Sequence, residues 1–432
     1  MMKRVRIARG TPALASALSL ALTALPAAAA DAPVFDKADT AWVMISSILV
    51  LFMTIPGIAL FYAGMTRKKN ILGTLAQSLG ICCLISLLWV ICGYSLSFSE
   101  GTAFLGGFAK AGLSGIGIAT PMGSIPELLF VFFQMTFAVL TAALITGSWA
   151  GRVKFSAMLL FMVSWSLLVY APVCHWVWAS DGYFFKMGAL DYAGGTVVHI
   201  NAGIAGLVGC LFLGPRRGYR RESMAPSNLT LAVIGAAVLW IGWMGFNGGS
   251  GLAAGERAVM AMLVTQIAAA AGGASWAAVE WLLRGKPSVL GMISGAVAGL
   301  VAITPGSGFV EPMPALFIGL AAGVVCFWSA TVLKYRLGYD DSLDAFGVHG
   351  VGGVLGAILT GFFASAAVTG TDMLPMWEQV GVQTLSVIAT LVYGGAVSAL
   401  ILWVLNRTIG LRVSAEEEQM GLDLSQHGER LE

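Results

Sequence analysis

Apolar residues fall in long runs along this chain, each close to 20 residues, separated by short breaks of Gly, Pro and charged side chains. An α-helix of about 20 residues rises roughly 30 Å, the thickness of a bilayer's hydrocarbon core. The runs predict eleven membrane-spanning helices, over residues 41–65, 71–96, 125–149, 155–175, 194–214, 227–247, 257–283, 288–304, 313–335, 346–364 and 378–406. Residues 99–124 hold many glycines and no sustained apolar period, which predicts a long loop between the second and third helices.

Composition identifies the same solvent. Of 432 residues, 58% are hydrophobic and 11% charged, against about 25% charged in a soluble domain. That is too little charge to cover a surface in water. The net charge of +2 is too small to point to nucleic acid.

Ahead of the first run, Lys3, Arg4, Arg6 and Arg9 precede an apolar stretch at 13–25, and small residues at 26–30 lead to Asp31. This is the pattern of a cleaved signal peptide over residues 1–30, with an uncleaved first helix as the alternative. Either way the mature start lies outside the cytoplasm. Cys82, Cys83, Cys92, Cys174, Cys210 and Cys326 sit in or beside apolar runs with no C-x-x-C pair. They read as small hydrophobes, neither zinc ligands nor a disulfide framework.

Basic residues orient the helices. With the N-terminus outside, 16 of the 24 Lys and Arg fall in cytoplasmic segments, and only Lys37, Lys110, Lys186 and Arg257 fall outside. The remaining four belong to the leader. Positive charge is therefore inside at every cytoplasmic loop, which places the C-terminus there too.

An internal match adds topology. Val198-His199-x-x-x-Gly203-x-x-Gly206 in the fifth helix recurs as Val348-His349-x-x-x-Gly353-x-x-Gly356 in the tenth. Two successive five-helix units have opposite orientation in the membrane, and such inverted repeats place substrate sites at their interface. The expected fold is all-α and polytopic. Two inverted repeats over about 41–214 and 227–364 are followed by an extra helix at 378–406 and a tail at 407–432.

Ionisable residues inside a membrane usually face a cavity or a partner. Of the four histidines, His175, His199, His349 and His427, the second and third occupy repeat-related positions, where both side chains can meet on one axis. Two neutral imidazoles in contact share a proton, one ring donating while the other accepts. For a single membrane histidine, a structural hydrogen bond is the simpler reading; the paired placement favours a site. Asp191 and Asp341 each precede a histidine by eight residues, where a carboxylate caps a helix N-terminus or stabilises a cation indirectly. The glycines around both histidines suit close helix packing.

Aromatics supply a second set. Phe133 and Phe137 share a helix face, Trp176 and Trp178 end the fourth helix, and Trp243 and Phe246 lie near the end of the sixth, before Ser250. Trp176 reads as an interfacial belt anchor. The other rings, with one hydroxyl, are either anchors or a pocket holding a small cation by cation–π attraction, worth about 0.5–2 kcal/mol.

These segments resemble a known family. DYAGGTVVHINAGIAGLVG (191–209) is similar to the signature of ammonium transporters (Amt/Mep/Rh), and FMTIPGIALFYAG (52–64), IGWMGFNGGS (241–250), LRGKPSVLG (283–291) and FGVHGVGG (346–353) resemble further blocks in the same order. The resemblance covers nearly the whole chain after Asp31. PELLFVFFQMTF (126–137) differs in detail from relatives but keeps Phe133 and Phe137. The resemblance implies a bacterial Amt-type channel in the inner membrane, a homotrimer embedded in lipid, with a pore in each subunit. It assigns Trp178, Phe137 and Ser250 to an external ammonium-recruitment site, Phe137 and Phe246 to a Phe gate, and His199 and His349 to the pore's twin histidines. Asp191 lies beneath the recruitment site and Trp243 lines the pore, with Phe133 in support. No metal or other cofactor is implied. The tail, a solvated extension by composition, resembles one that couples subunits and helps receive a PII-type signalling protein.

The function expected is capture of NH4+ at the vestibule, loss of a proton, and conduction of NH3, with methylammonium as an analogue. A sensor of the same fold and a Rhesus-type gas channel are the nearest alternatives. No output domain follows the eleventh helix, which favours transport over sensing, and the Trp178/Ser250 pair favours the ammonium-scavenging branch. An intramembrane metalloenzyme lacks a third ligand at metal spacing and an H-E-x-x-H motif.

Overall fold

Lipid cannot satisfy a backbone amide, so a chain this apolar closes its hydrogen bonds within helices. The computed structural model describes residues 34–431. The leader expected over 1–30 lies outside them. Eleven helices form the body: α1 (Lys37–Met65), α2 (Lys68–Phe98), α3 (Glu127–Trp149), α4 (Phe155–Lys186), α5 (Gly195–Leu213), α6 (Leu229–Gly249), α7 (Glu256–Arg284), α8 (Val289–Ile303), α9 (Pro312–Leu337), α10 (Phe346–Phe363) and α11 (Met376–Thr408). All but α8 are long and apolar enough to cross a membrane. Apolar side chains turned outward, such as Ile48, Leu87, Ile91, Phe317 and Val392, are each more than half exposed. In water that surface would aggregate; against lipid it is the expected exterior.

Local chemistry ends the helices. Asp36, Asn228 and Ser288 accept from backbone N–H groups at the starts of α1, α6 and α8 at 2.9–3.0 Å. Gly285, at φ 78°, stops α7. Within α1 the winding breaks at Ile55, just before Pro56, which has no amide hydrogen to donate. At 15 residues, α8 rises only about 22 Å. In the turns that follow it, Thr304, Ser307 and Val310 are fully buried. Irregular backbone survives at that depth because protein surrounds it.

The two inverted halves meet where α5 crosses α10. A Cβ on Gly203 would collide with the backbone of Gly350, so glycine permits a contact of main chain on main chain. Both helices begin with a π-helical turn, Gly195–Ile200 and Phe346–Gly350, and each turn carries a histidine.

Basic loops gather at one end of the bundle. Arg152 is fully buried there and donates to the carbonyls of Gly214 and Asp340, at 2.9 and 2.6 Å. Arg216 makes a two-pronged pair with the Asp340 carboxylate at 2.9 and 2.7 Å. Burial alone raises the Asp340 carboxyl, but its bonds to Arg216 and the charge of Arg152 more than reverse this and hold it below the usual carboxylate range. The clamp is therefore intact at neutral pH and loosens only as acid protonates Asp340.

Two expectations need correction. Residues 99–124 are more than a loop. With the two residues that follow, they form two short antiparallel hairpins, pairing Gly101–Thr102 with Leu105–Gly106 and Pro121–Met122 with Ile125–Pro126. Trp176 is no interfacial anchor: its indole donates to the Phe104 carbonyl at 2.7 Å and packs on Tyr393, leaving it 8% exposed. The loop covers it, and run length alone does not reveal that cover.

The tail is folded. Two short helices, α12 (Ala415–Met420) and α13 (Leu422–His427), lie against the start of α2. A capping box between Ser414 and Glu417 opens α12. Asp423 accepts from the Gly73 amide at 2.7 Å, Leu422 donates to Asn70 at 2.9 Å, and Glu418 pairs with Arg412 at 2.7 Å. Leu422, Asp423 and Glu418 are buried.

Gly203→Val tests the central crossing. The added side chain has no space, and the variant should lose about 2 kcal/mol or more of stability, measured as a lower melting temperature in detergent. An unchanged melt would show that the helices do not meet there.

Candidate functional site

Seven of the rings singled out by sequence form one contiguous column of contacts. At the α4 end of it, Trp178 meets Phe137 edge to face at 5.7 Å, and Phe133 supports Phe137 at 4.9 Å. Phe137 and Phe246 lie face to face, centroids 4.2 Å apart and planes 16° from parallel, both fully buried. Ser250, one turn beyond Phe246, donates its hydroxyl to the Phe246 carbonyl at 2.8 Å. Its oxygen lone pairs thus stay free to accept.

Below the stacked phenylalanines come the imidazoles. His199 lies 6.0 Å from the Phe246 ring and stacks on Trp243 at 5.4 Å. The Nδ1 atoms of His199 and His349 are 3.3 Å apart, and their rings are 5.3 Å apart and nearly parallel. Both residues are buried, and the far nitrogen of His199, Nε2, has no partner. An unpaired polar atom at that depth is costly unless a small guest visits it. Beside His349 lies a small cleft lined by Phe61, Tyr62, Val297 and Asp344 among others.

The π-helical turns carrying the histidines are anchored by the two aspartates. Asp191 accepts from four amides, those of Gly194, Gly195, Thr196 and Val197, at 2.5–3.0 Å. Asp341 accepts from Ala345, Phe346 and Gly347 at 2.8–3.4 Å. Each carboxylate satisfies the free donors of a buried helix start and complements its dipole. Asp191 also joins the rings to this anchor, since its carbonyl accepts from the Trp178 indole at 2.7 Å.

The structure thus brings together His199, His349, Trp243, Phe246, Phe137, Phe133 and Trp178, with Ser250 and Asp191 at their edge. The other histidines stand apart. His175 is buried between the carbonyls of Ser97 and Thr102, and His427 packs on Phe155. Among the described residues, no three or more His, Cys, Asp or Glu side chains converge as a metal site would need. One contact escaped the sequence reading: the Trp243 indole donates to Thr304 Oγ1 at 2.8 Å. A lone threonine before a proline offers no signal of that.

Eleven helices around a buried column of aromatic and imidazole rings define a polytopic membrane protein of the transporter class. Comparisons supply the family. The model of the Ammonium Transporter Family matches residues 41–431. An ammonium transporter of Aquifex aeolicus is 48% identical over 402 residues, covering 91% of this chain and 93% of its own. The crystal structure of Saccharomyces cerevisiae Mep2 superposes with a TM-score of 0.84 at 37% identity, covering 89% of each chain. A structure described as a sensor Amt protein gives a TM-score of 0.84 at 28% identity, over 90% of this chain and 98% of that one. The chain belongs to the ammonium transporter family, whose members are transporters and channels, not enzymes.

Asp191→Asn tests the anchor. The amide keeps the shape but offers one acceptor oxygen to four donors, and the unpaired amides should cost about 2 kcal/mol or more, read as a lower melting temperature. An unaltered melt would contradict the capping role.

Proposed function

We propose that the protein recruits NH4+ at a pocket formed by Trp178, Phe137 and Ser250, removes a proton, and conducts NH3 past Phe137, Phe246, His199 and His349. The observation that carries this reading is the 3.3 Å approach of the two imidazoles, in line beneath the stacked phenylalanines. Rings at the head of the column present negative faces to a cation, and the free lone pairs of Ser250 accept from one of its N–H groups.

The cation stops there for an energetic reason. Moving an isolated ion into low dielectric costs on the order of tens of kcal/mol, against about 0.5–2 kcal/mol returned per aromatic face. A neutral molecule escapes that penalty, so desolvation favours release of the proton. The imidazole pair then offers ammonia a donor and an acceptor without fixed charge. The proton returns to the outside or crosses separately along the histidines. Potassium resembles ammonium in size but has no proton to lose, so the same barrier excludes it.

We further propose an orientation and setting. The Trp178 end faces outward and the basic end faces the cytoplasm of an inner membrane, following the positive-inside rule. Three copies assemble as a trimer, and the folded tail contributes to a docking surface for a PII-type signalling protein. The sensor reading draws support from the likeness to a sensor Amt structure. Transport measurements separate the two readings, because a dedicated sensor moves little substrate.

His199→Asp tests the scheme. A fixed negative charge on the column should either block methylammonium uptake or let potassium through, and uptake assays with ion competition detect both outcomes. Unchanged uptake and selectivity would remove His199 from the path.

A further inference from the structure

The turn after α6 carries strain and leans on a tyrosine with no assigned role. Leu252 has φ of 54°, in the left-handed region that is costly for a leucine, and its amide closes the turn on the Gly249 carbonyl at 2.9 Å. Tyr192 stands against this turn. A Cβ on Gly251 would lie 2.7 Å from the Tyr192 hydroxyl, and one on Gly308 would enter the Tyr192 ring. The hydroxyl is buried and makes no hydrogen bond. What it contributes at Gly251 is therefore contact.

Arg257 holds the ring in place. Its guanidinium carbon lies 5.2 Å from the Tyr192 ring and 4.8 Å from that of Phe309, and its Nε donates to the Gly308 carbonyl at 2.8 Å. Phe309 meets Tyr192 edge to face at 5.5 Å. The Tyr192 amide donates to the Pro305 carbonyl at 3.1 Å. Its neighbour Asp191 accepts from Trp178 and caps α5. One dipeptide thus touches the Trp178 indole, the start of the His199 helix and the Ser250 turn.

We propose that Tyr192 is a positioning residue of the recruitment pocket: wedged against Gly251 and clamped by Arg257, it sets the Ser250 hydroxyl at a fixed distance from Trp178 and Phe137. This rests on the reading of Trp178, Phe137 and Ser250 as the recruitment site. A hydrogen bond weakens steeply with displacement and misalignment, so a small shift of the turn costs affinity for the cation. Conduction deeper in the column is left intact. The wedge cannot yield freely, because Gly308 and Arg257 close the space behind the ring.

Methylammonium uptake, normalised to protein in the membrane, tests the wedge in Ser250→Ala, Gly251→Ala, Tyr192→Phe and the double variant Gly251→Ala/Tyr192→Phe. Gly251→Ala should raise KM about fivefold or more, with Vmax little changed. The double variant, which removes the hydroxyl that the new methyl meets, should recover most of that loss. A merely structural contact would lower the amount of protein or Vmax instead of splitting KM from Vmax. If Gly251→Ala cannot reach the membrane, a double variant that does so with KM near that of Tyr192→Phe supports the same contact. A KM rise in Gly251→Ala that the double variant leaves uncorrected overturns the wedge. So does a normal KM in Gly251→Ala when Ser250→Ala raises it. No effect of Ser250→Ala overturns the recruitment reading itself.

Discussion

The contact of two imidazoles inside the protein depends on a helix crossing in which main chain meets main chain. Here Gly203 on α5 lies against Gly350 on α10, with no room for a side chain, and His199 and His349 are placed from that crossing. Such an approach leaves two helix starts buried with amide donors facing inward. Asp191 and Asp341 satisfy those donors, so of the two roles their spacing allowed, helix cap or indirect support of a cation, the cap is the one the geometry displays.

The column above the histidines follows from the same economy of charge. Phe137 stacks on Phe246, Trp178 closes on Phe137, and Trp243 is pinned by Thr304 while stacking on His199. No formal charge lies among these side chains, and the Asp191 carboxylate beside them accepts from four backbone amides. In the proposed mechanism this neutrality is the selectivity filter. It admits what can shed its charge and stops what cannot.

Much of this was legible in sequence because a bilayer simplifies the rules. Long apolar runs mark spans, and the repeated Val-His-x-x-x-Gly pattern marks the crossing. Other features depended on contacts between distant segments. Trp176 has the composition and place of an interfacial anchor, yet the loop carbonyl of Phe104 and the ring of Tyr393 cover it. The tail is largely polar, and contacts such as Leu422 and Asp423 docking on Asn70 and Gly73 order it. Thr304 lies outside every quoted block and acts on Trp243 from 61 residues away, and Tyr192, though inside the 191–209 block, works through Gly251, Arg257 and Gly308 far along the chain.

Reconstitution into liposomes tests the central claim most directly, by following internal pH and membrane current after a pulse of ammonium and, separately, of potassium. A dry column that passes ammonia predicts an internal pH change faster than in protein-free liposomes on the ammonium pulse, and no current on the potassium pulse. Potassium current through the protein, or an ammonium response no faster than that of bare lipid, would contradict it.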